Sequence, residues 1–151
     1  MLKVPLKITY AVLATLDLAI HYGSTPIQAK VIARRQSIPI RFIEQILHAL
    51  KQAGIIESVR GAQGGYSLQR EPSQITLAHI VEAMNGPLDQ PVGSNGNNGH
   101  TEFSPHHEAL LSSIWDQVRQ AELGVLSSYT LDTLAERYEK FEQEHTLMYH
   151  I

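Results

Sequence analysis

Residues 55–70 carry a glycine-rich turn between two short β-prone segments, which limits the folds open to this chain. The segment Ile55–Arg60 contains three β-branched residues, the turn Gly61–Gly65 contains three glycines, and Tyr66–Arg70 alternates apolar and polar side chains. This combination predicts a β-hairpin. A glycine-rich turn can also cradle a phosphate, but neither Lys-Ser nor Lys-Thr follows this one and no helix opens there. A nucleotide-binding loop is therefore disfavoured.

Two short helices are predicted directly before the hairpin. Thr25 is expected to cap a helix over residues 26–35, with Gln28 as the second half of a capping box. Pro39 ends the turn that follows, and a helix over residues 39–53 has apolar residues at spacings of three and four. A helix pair followed by a hairpin forms a winged helix-turn-helix. In that motif the second helix enters a DNA major groove and the hairpin, or wing, reaches the minor groove.

The charges are divided unevenly along the chain. The net charge of -3 would by itself argue against nucleic acid as a partner. However, residues 1–70 hold nine basic and three acidic side chains, a net +6, whereas residues 71–151 hold three basic and twelve acidic, a net -9. A basic half favours a nucleic-acid surface there. The alternative is a solvated surface that is merely uneven.

Composition excludes several other classes of protein. No apolar run approaches the roughly 20 residues of a membrane span, because Asp17 interrupts the longest one, and no signal peptide is evident, so we expect a cytoplasmic protein. The chain has no cysteine, which excludes disulfides, thiol nucleophiles and cysteine-ligated iron-sulfur clusters. Triads, paired carboxylates and metal-protease spacings are also absent from the sequence. An enzyme is therefore disfavoured.

The second half begins with a loop and a long helix. Thr76 is expected to cap a helix that ends at Gly86, and residues 87–103 are rich in Gly, Pro, Asn and Ser, which predicts a flexible loop. Ser104-Pro105 then marks the start of a helix of roughly 20 residues with an apolar stripe. We interpret it as a dimerisation helix that would have more apolar surface than its own domain can cover. The alternative is that it folds back on its own domain.

The sequence therefore predicts a mainly α fold with a small β-hairpin, divided into three regions. Residues 1–86 form a winged helix-turn-helix DNA-binding domain, and residues 87–103 form a flexible loop that is a candidate sensor region. Residues 104–151 form the dimerisation helix and a C-terminal helix, capped by Thr130, that packs back on the core. The tail beyond Glu144 is expected to fray.

Several motifs resemble the Rrf2 family of bacterial winged-helix transcription regulators, over nearly the whole chain. The most specific part is the Arg-Gly and Gly-Gly-Tyr wing that lies about 15 residues after a Glu-Gln pair. The residues that carry the resemblance are Tyr10-Ala11-Val12, Phe42-Ile43-Glu44-Gln45-Ile46-Leu47, Ser58-Val59-Arg60-Gly61, Gly64-Gly65-Tyr66-Ser67-Leu68, Trp115 and Thr130-Leu131.

The resemblance implies a homodimer that binds an inverted-repeat operator in double-stranded DNA, usually as a repressor. It also implies that Arg41, Glu44 and Gln45 read base edges and that Arg60 enters the minor groove. Side-chain chemistry agrees, since Gln pairs with adenine, Arg with guanine, and Glu accepts from cytosine. The remaining basic residues would contact the phosphate backbone; they are Lys30, Arg34, Arg35 and Lys51.

Each of these roles has an alternative. Glu44 could form an ion pair along its helix with Arg41 or Lys51, and Arg60 could be a solvated hairpin residue. The whole winged helix could instead be a protein-interaction module, which would show no salt-dependent affinity for DNA.

The chain departs from the family at the sensor. Members that bind an iron-sulfur cluster carry three cysteines in the loop and at the start of the long helix, where this chain has none. Imidazole and carboxylate groups in that region suit a zinc, iron, nickel or copper ion; the candidate ligands are His100, Glu102, His106 and His107. The alternative is that these histidines are solvated, and the effector is unknown.

Overall fold

The computed structural model describes residues 3–86, 88 and 104–149. Over these residues it is mainly helical with one antiparallel hairpin, which confirms the predicted fold class. A 3-10 turn lies at Pro72–Gln74. The other elements are α1 (Leu6–Ile20), α2 (Ala29–Gln36), α3 (Ile40–Gln52), β1 (Ile56–Val59), β2 (Gly65–Leu68), α4 (Leu77–Asn85), α5 (Pro105–Ser128) and α6 (Leu131–Tyr149). Among the described residues, none of the helices could span a membrane.

Helix α1 lies at the centre of the core and packs against α2, α3, α4 and α6. Its buried side is made of small and aliphatic residues, Ala11, Ala14 and Leu18, so neighbouring helices can approach closely. Helix α3 contributes the largest apolar face, formed by Ile43, Ile46, Leu47 and Leu50, all buried. Burying that face fixes which residues α3 leaves exposed.

A tight turn joins α2 to α3. Ser37 adopts a left-handed conformation with φ of 54° at the end of α2, and the backbone N–H of Ile38 donates to the carbonyl of Ala33 at 2.9 Å. Ile38 is buried, which anchors the turn on the core. The helix predicted over residues 39–53 is observed at Ile40–Gln52. The predicted helix-turn-helix is therefore present.

Helix α2 begins three residues later than the sequence predicted. The N–H of Ile27 donates to the carbonyl of Tyr66 at 2.9 Å, and the N–H of Tyr66 donates back to Ile27 at 2.8 Å. This pairing holds Ile27 in an extended strand beside the hairpin, and Gln28 precedes α2 with no side-chain capping bond. The predicted capping box of Thr25 and Gln28 is wrong, because a pairing with a distant segment overrides the local start signal.

The hairpin pairs β1 with β2 from Ile56 opposite Leu68 to Val59 opposite Gly65, within the predicted 55–70. Gly65 has φ of 152°, and a Cβ added there would lie 2.5 Å from the carbonyl carbon of Ile27. Only glycine allows this close approach. The backbone of the wing therefore packs directly against the segment that leads into α2.

Backbone bonds join the end of α5 to the start of α4. The N–H of Leu77 donates to Tyr129 at 2.9 Å, and that of Leu131 donates to Ile75 at 2.9 Å. Leu131 is fully buried, so the first turn of α6 packs on the core as predicted. Thr76 caps α4 as expected, with the His79 ring as its reciprocal partner.

The rest of the described second half is exposed or half-buried. Helix α5 begins at Pro105 behind its cap Ser104, as predicted, and none of its residues is buried. Helix α6 continues to Tyr149, so the expectation of fraying beyond Glu144 is wrong. The His145 and Tyr149 rings, one helical turn apart, stack at 4.6 Å and support that last turn. Apart from residue 88, the predicted loop at 87–103 lies outside the described residues.

Candidate nucleic-acid interface

The three predicted base-reading residues lie together on the exposed side of α3. Arg41, Glu44 and Gln45 are spaced by three and one and are all exposed, because the opposite side of the helix is buried in the core. Within the described residues Glu44 forms no ion pair with Arg41 or Lys51, the alternative considered from the sequence. Its carboxylate is therefore available at the surface.

Two aromatic rings connect this exposed side to α1. The Phe42 ring stacks on that of Tyr10 with centroids 6.2 Å apart and planes at 27°. The guanidinium of Arg41 lies 4.7 Å from the centroid of the same Phe42 ring, a cation–π contact. The Arg41 guanidinium thus lies against the Phe42 ring.

The wing carries its arginine at the tip. Arg60 directly follows β1 and is exposed, ahead of the glycine turn. Three of the predicted phosphate contacts are also exposed; they are Lys30 and Arg34 on α2 and Lys51 on the last turn of α3.

Arg35 differs from the other predicted DNA contacts because it pairs with a buried carboxylate inside the protein. Its Nη2 lies 2.8 Å from Oδ2 of Asp17, and Gln36 Nε2 donates to Oδ1 of the same carboxylate at 2.9 Å. The Asp17 side chain is 2% exposed and that of Arg35 36%. His21 completes the cluster, with Nδ1 2.8 Å from the Asp17 carbonyl and Nε2 3.4 Å from Arg35.

Sequence reasoning missed this cluster, because it used Asp17 only as the residue that interrupts the longest apolar run. A buried carboxylate is costly unless it is paired and hydrogen-bonded. Asp17 meets that need with two side chains at the C-terminal end of α2, so it ties α2 to α1. An acid within an otherwise apolar helix face was the signal that could have revealed it.

The predicted metal ligands are only partly visible. His106 and His107 lie in the first turn of α5 and are exposed, whereas His100 and Glu102 are outside the described residues. Within the described part of the chain, no group of three or more His, Asp or Glu side chains is close enough together to hold a metal ion. The metal patch therefore stays a prediction.

A helix-turn-helix with an exposed polar recognition helix and an arginine-tipped wing defines a winged-helix DNA-binding protein. The chain belongs to the Rrf2 family, whose profile, described as an iron-dependent transcriptional regulator, matches residues 5–137. It is 33% identical over 148 residues to the HTH-type transcriptional regulator CymR of Bacillus subtilis, covering 98% of this chain and 99% of CymR. It is 32% identical over 130 residues to the HTH-type transcriptional regulator IscR of Photorhabdus laumondii, covering 86% and 77%.

Solved structures agree with the sequence comparison. The structure of CymR, the global cysteine regulator of B. subtilis, matches with a TM-score of 0.74 at 32% identity, covering 91% of this chain and 98% of that one. The structure of T. potens IscR matches with a TM-score of 0.73 at 37% identity, covering 92% and 90%.

The predicted family and function are therefore confirmed. The chain is a DNA-binding transcriptional regulator of a family that consists of regulators and not of enzymes. The roles of individual residues and the division into domains stay predictions.

Proposed function

We propose that the protein is a homodimeric repressor that binds an inverted-repeat operator, with α3 in the major groove and the wing at the minor groove. The observation that carries this proposal is the surface of α3. One side is fully buried in the core, while Arg41, Glu44 and Gln45 stand together on the exposed side. A rigidly held helix with short and long polar side chains is what base readout in a major groove requires.

In this proposal the predicted DNA-contacting residues divide into four roles. Arg41, Glu44 and Gln45 read base edges, and Arg60 enters the minor groove, where a narrow, negative channel attracts arginine. The exposed cations contact phosphates and set the position of the domain without reading sequence; they are Lys30, Arg34 and Lys51. Arg35, which the sequence assigned to phosphate, acts instead as a positioning residue through its ion pair with Asp17.

Dimerisation is proposed to use α5. Its 24 residues would extend about 36 Å at 1.5 Å per residue. Large apolar side chains stay 40–61% exposed along one stripe of it, which a second copy would cover; they are Leu110, Leu111, Ile114 and Trp115. A twofold dimer would present two α3 helices to successive major grooves, about 34–36 Å apart.

Paired substitutions test the residue roles. An operator duplex is first enriched from random DNA, and its affinity is then measured by fluorescence anisotropy for the wild type, Gln45→Ala and Lys51→Ala. Loss of Gln45 should cost about 1–3 kcal/mol and relax the preference at one base pair. Loss of Lys51 should weaken all sequences alike and reduce the slope of log affinity against log salt by about 1.

The wing is tested in the same assay by Arg60→Ala, with Arg70→Ala at the base of the hairpin as its matched control. Only the first should weaken operator binding. Equal affinity of all four variants and the wild type would contradict the proposed interface. An absence of salt-dependent DNA binding by the wild type would favour the protein-interaction module instead.

A further inference from the structure

A cavity of about 230 Å³ lies between α1, α3 and α4, beside the proposed DNA-facing side of α3. Its walls are almost entirely apolar and include Tyr10, Phe42, Ile46 and Met84. Drug-sized ligands typically occupy about 300–1,000 Å³. The cavity is therefore suited to a small, mostly apolar molecule.

Lys7 supplies a positive charge to this cavity. Its Nζ donates to the carbonyl of Met84 at 3.4 Å, which engages one of the three N–H groups of the ammonium. Among the described residues no carboxylate lines the cavity, and residues 3–16 contain Lys3 and Lys7 but no acid. Apolar walls with one cation complement an apolar molecule that ends in an anionic group.

The same cavity is in contact with the proposed base-reading residues. Gln45 lines it directly, and Phe42 lines it while its ring supports the guanidinium of Arg41 at 4.7 Å. A ligand that enters between Tyr10 and Phe42 would displace a ring on which Arg41 rests. A ligand bound in the cavity would therefore contact Gln45 directly and would affect Arg41 through the Phe42 ring.

We propose that this cavity binds a small anionic amphiphile of the medium-chain carboxylate class, and that binding changes operator affinity through Phe42 and Gln45. The apolar chain fills the cavity and the carboxylate pairs with Lys7. The binding site stands independently of the proposed function, whereas the effect on operator affinity rests on it.

The first experiment measures ligand binding without DNA. The full chain is titrated calorimetrically with octanoate and with octanol, as wild type, Lys7→Met and the matched control Lys3→Met, which removes a neighbouring charge outside the cavity. Because an exposed ion pair contributes about 0.2–1 kcal/mol, Lys7→Met and the change to octanol should each weaken binding by about 1.4-fold to fivefold. Lys3→Met should bind as the wild type does. No saturable octanoate binding, or equal affinity in Lys7→Met, would overturn the site.

Hydrogen exchange then locates the ligand. Octanoate should slow exchange in the segments 6–10 and 40–46 and leave the wing unchanged. If these segments are already protected without ligand, in proportion to protein concentration, a second copy of the chain covers the cavity and the proposal is wrong.

The last experiment measures operator affinity as a function of octanoate concentration. The proposal expects a shift of at least threefold at saturation, with the half-maximal octanoate concentration unchanged in Lys3→Met and raised in Lys7→Met by the factor that calorimetry gives. Binding of octanoate with unchanged operator affinity would overturn the coupling. Failure of the ligand-free protein to bind any operator would refute the proposed function, while the calorimetric result would still decide the binding site.

Discussion

The two halves of the chain differ in which side chains they bury and which they expose. Residues 3–86 bury a continuous core around α1 and α3, and their basic residues remain at the surface. In residues 104–149 only Leu131 is buried, while ten large apolar side chains are exposed among an excess of acids. The first half supplies nearly all of the buried core, to which the second half adds Leu131, and it leaves charge outside. The second leaves apolar surface outside, which a soluble monomer rarely does over so large an area.

This difference separates two proposed roles. Base readout by residues 3–86 needs a rigidly held helix, whereas residues 104–149 would serve association with a second copy. The base-reading side chains stand on a helix whose opposite face is fixed, as recognition of base edges requires. The long helices expose an apolar stripe, and in the proposed dimer a second copy would cover it. Their negative charge also keeps them away from the phosphates that the first half attracts.

The comparison predicts the largest loss of stability for a core leucine in the first half. Leu50 is fully buried, so Leu50→Ala should lower the free energy of unfolding by about 2–5 kcal/mol, measured by urea denaturation. The matched change Leu147→Ala, at a position 66% exposed on α6, should stay within about 0.5 kcal/mol. Equal losses of unfolding free energy in Leu50→Ala and Leu147→Ala would contradict the difference in burial between the two halves.

The next largest effect concerns association. Trp115 is 40% exposed on α5, and tryptophans in such positions dominate interfaces, so Trp115→Ala should weaken dimerisation by about 2 kcal/mol, or roughly thirtyfold. Sedimentation equilibrium measures the change, with Tyr149→Ala at the end of α6 as the control. A wild-type protein that is monomeric at all concentrations would sink the proposed role of α5.

A third prediction compares one ion pair from each half. Asp17→Asn removes a buried charge that holds Arg35 and Gln36, so it should cost about 1–3 kcal/mol of folding stability and weaken operator binding. Asp116→Asn breaks the pair with Arg119, 3.1 Å apart on α5, and should cost less than about 1 kcal/mol because the Asp116 side chain is 48% exposed.

Denaturation and anisotropy on the same samples separate the two consequences of Asp17→Asn. At temperatures where the variant is fully folded, operator affinity should still be reduced, because α2 is no longer tied to α1. Full affinity of the folded variant would show that Asp17 is a stabilising group without a positioning role.

The smallest effect is a gain. Gly124 lies within α5, is exposed and has nothing within 4 Å of an added Cβ. Gly124→Ala should therefore raise stability by about 0.5–1 kcal/mol through helix propensity alone, measured at fixed protein concentration. In contrast, Gly65→Ala should lower stability because its Cβ would collide with the backbone of Ile27. A loss at Gly124 would reveal a close neighbour there in the assembled protein.

Local signals predicted most of the fold. Hydrophobic spacing located α3 and glycine composition located the hairpin, because both depend on residues close in sequence. Thr76, Ser104 and Thr130 each cap a helix as expected. The errors arose where distant segments meet. The pairing of Ile27 with Tyr66 moved the start of α2, and no periodicity within residues 26–35 encodes it.

The candidate site was predictable to the same extent. Helical geometry alone put Arg41, Glu44 and Gln45 on one exposed side. Arg34 and Arg35 are adjacent arginines that the sequence alone does not distinguish. Only the packing of α2 on α1 shows that Asp17 pairs with Arg35 and not with Arg34. The cavity beside Lys7 is likewise assembled from three separate helices and has no motif of its own.

Enrichment of binding sites from random double-stranded DNA by the full chain tests the central claim most directly. If the basic half reads DNA and the acidic half pairs two copies, the recovered sequences will contain an inverted repeat whose half-sites lie about one helical turn apart. Affinity for that repeat will fall steeply with salt. Recovery of a single unpaired half-site would contradict the pairing, and recovery of no enriched sequence would contradict the account of the interface itself.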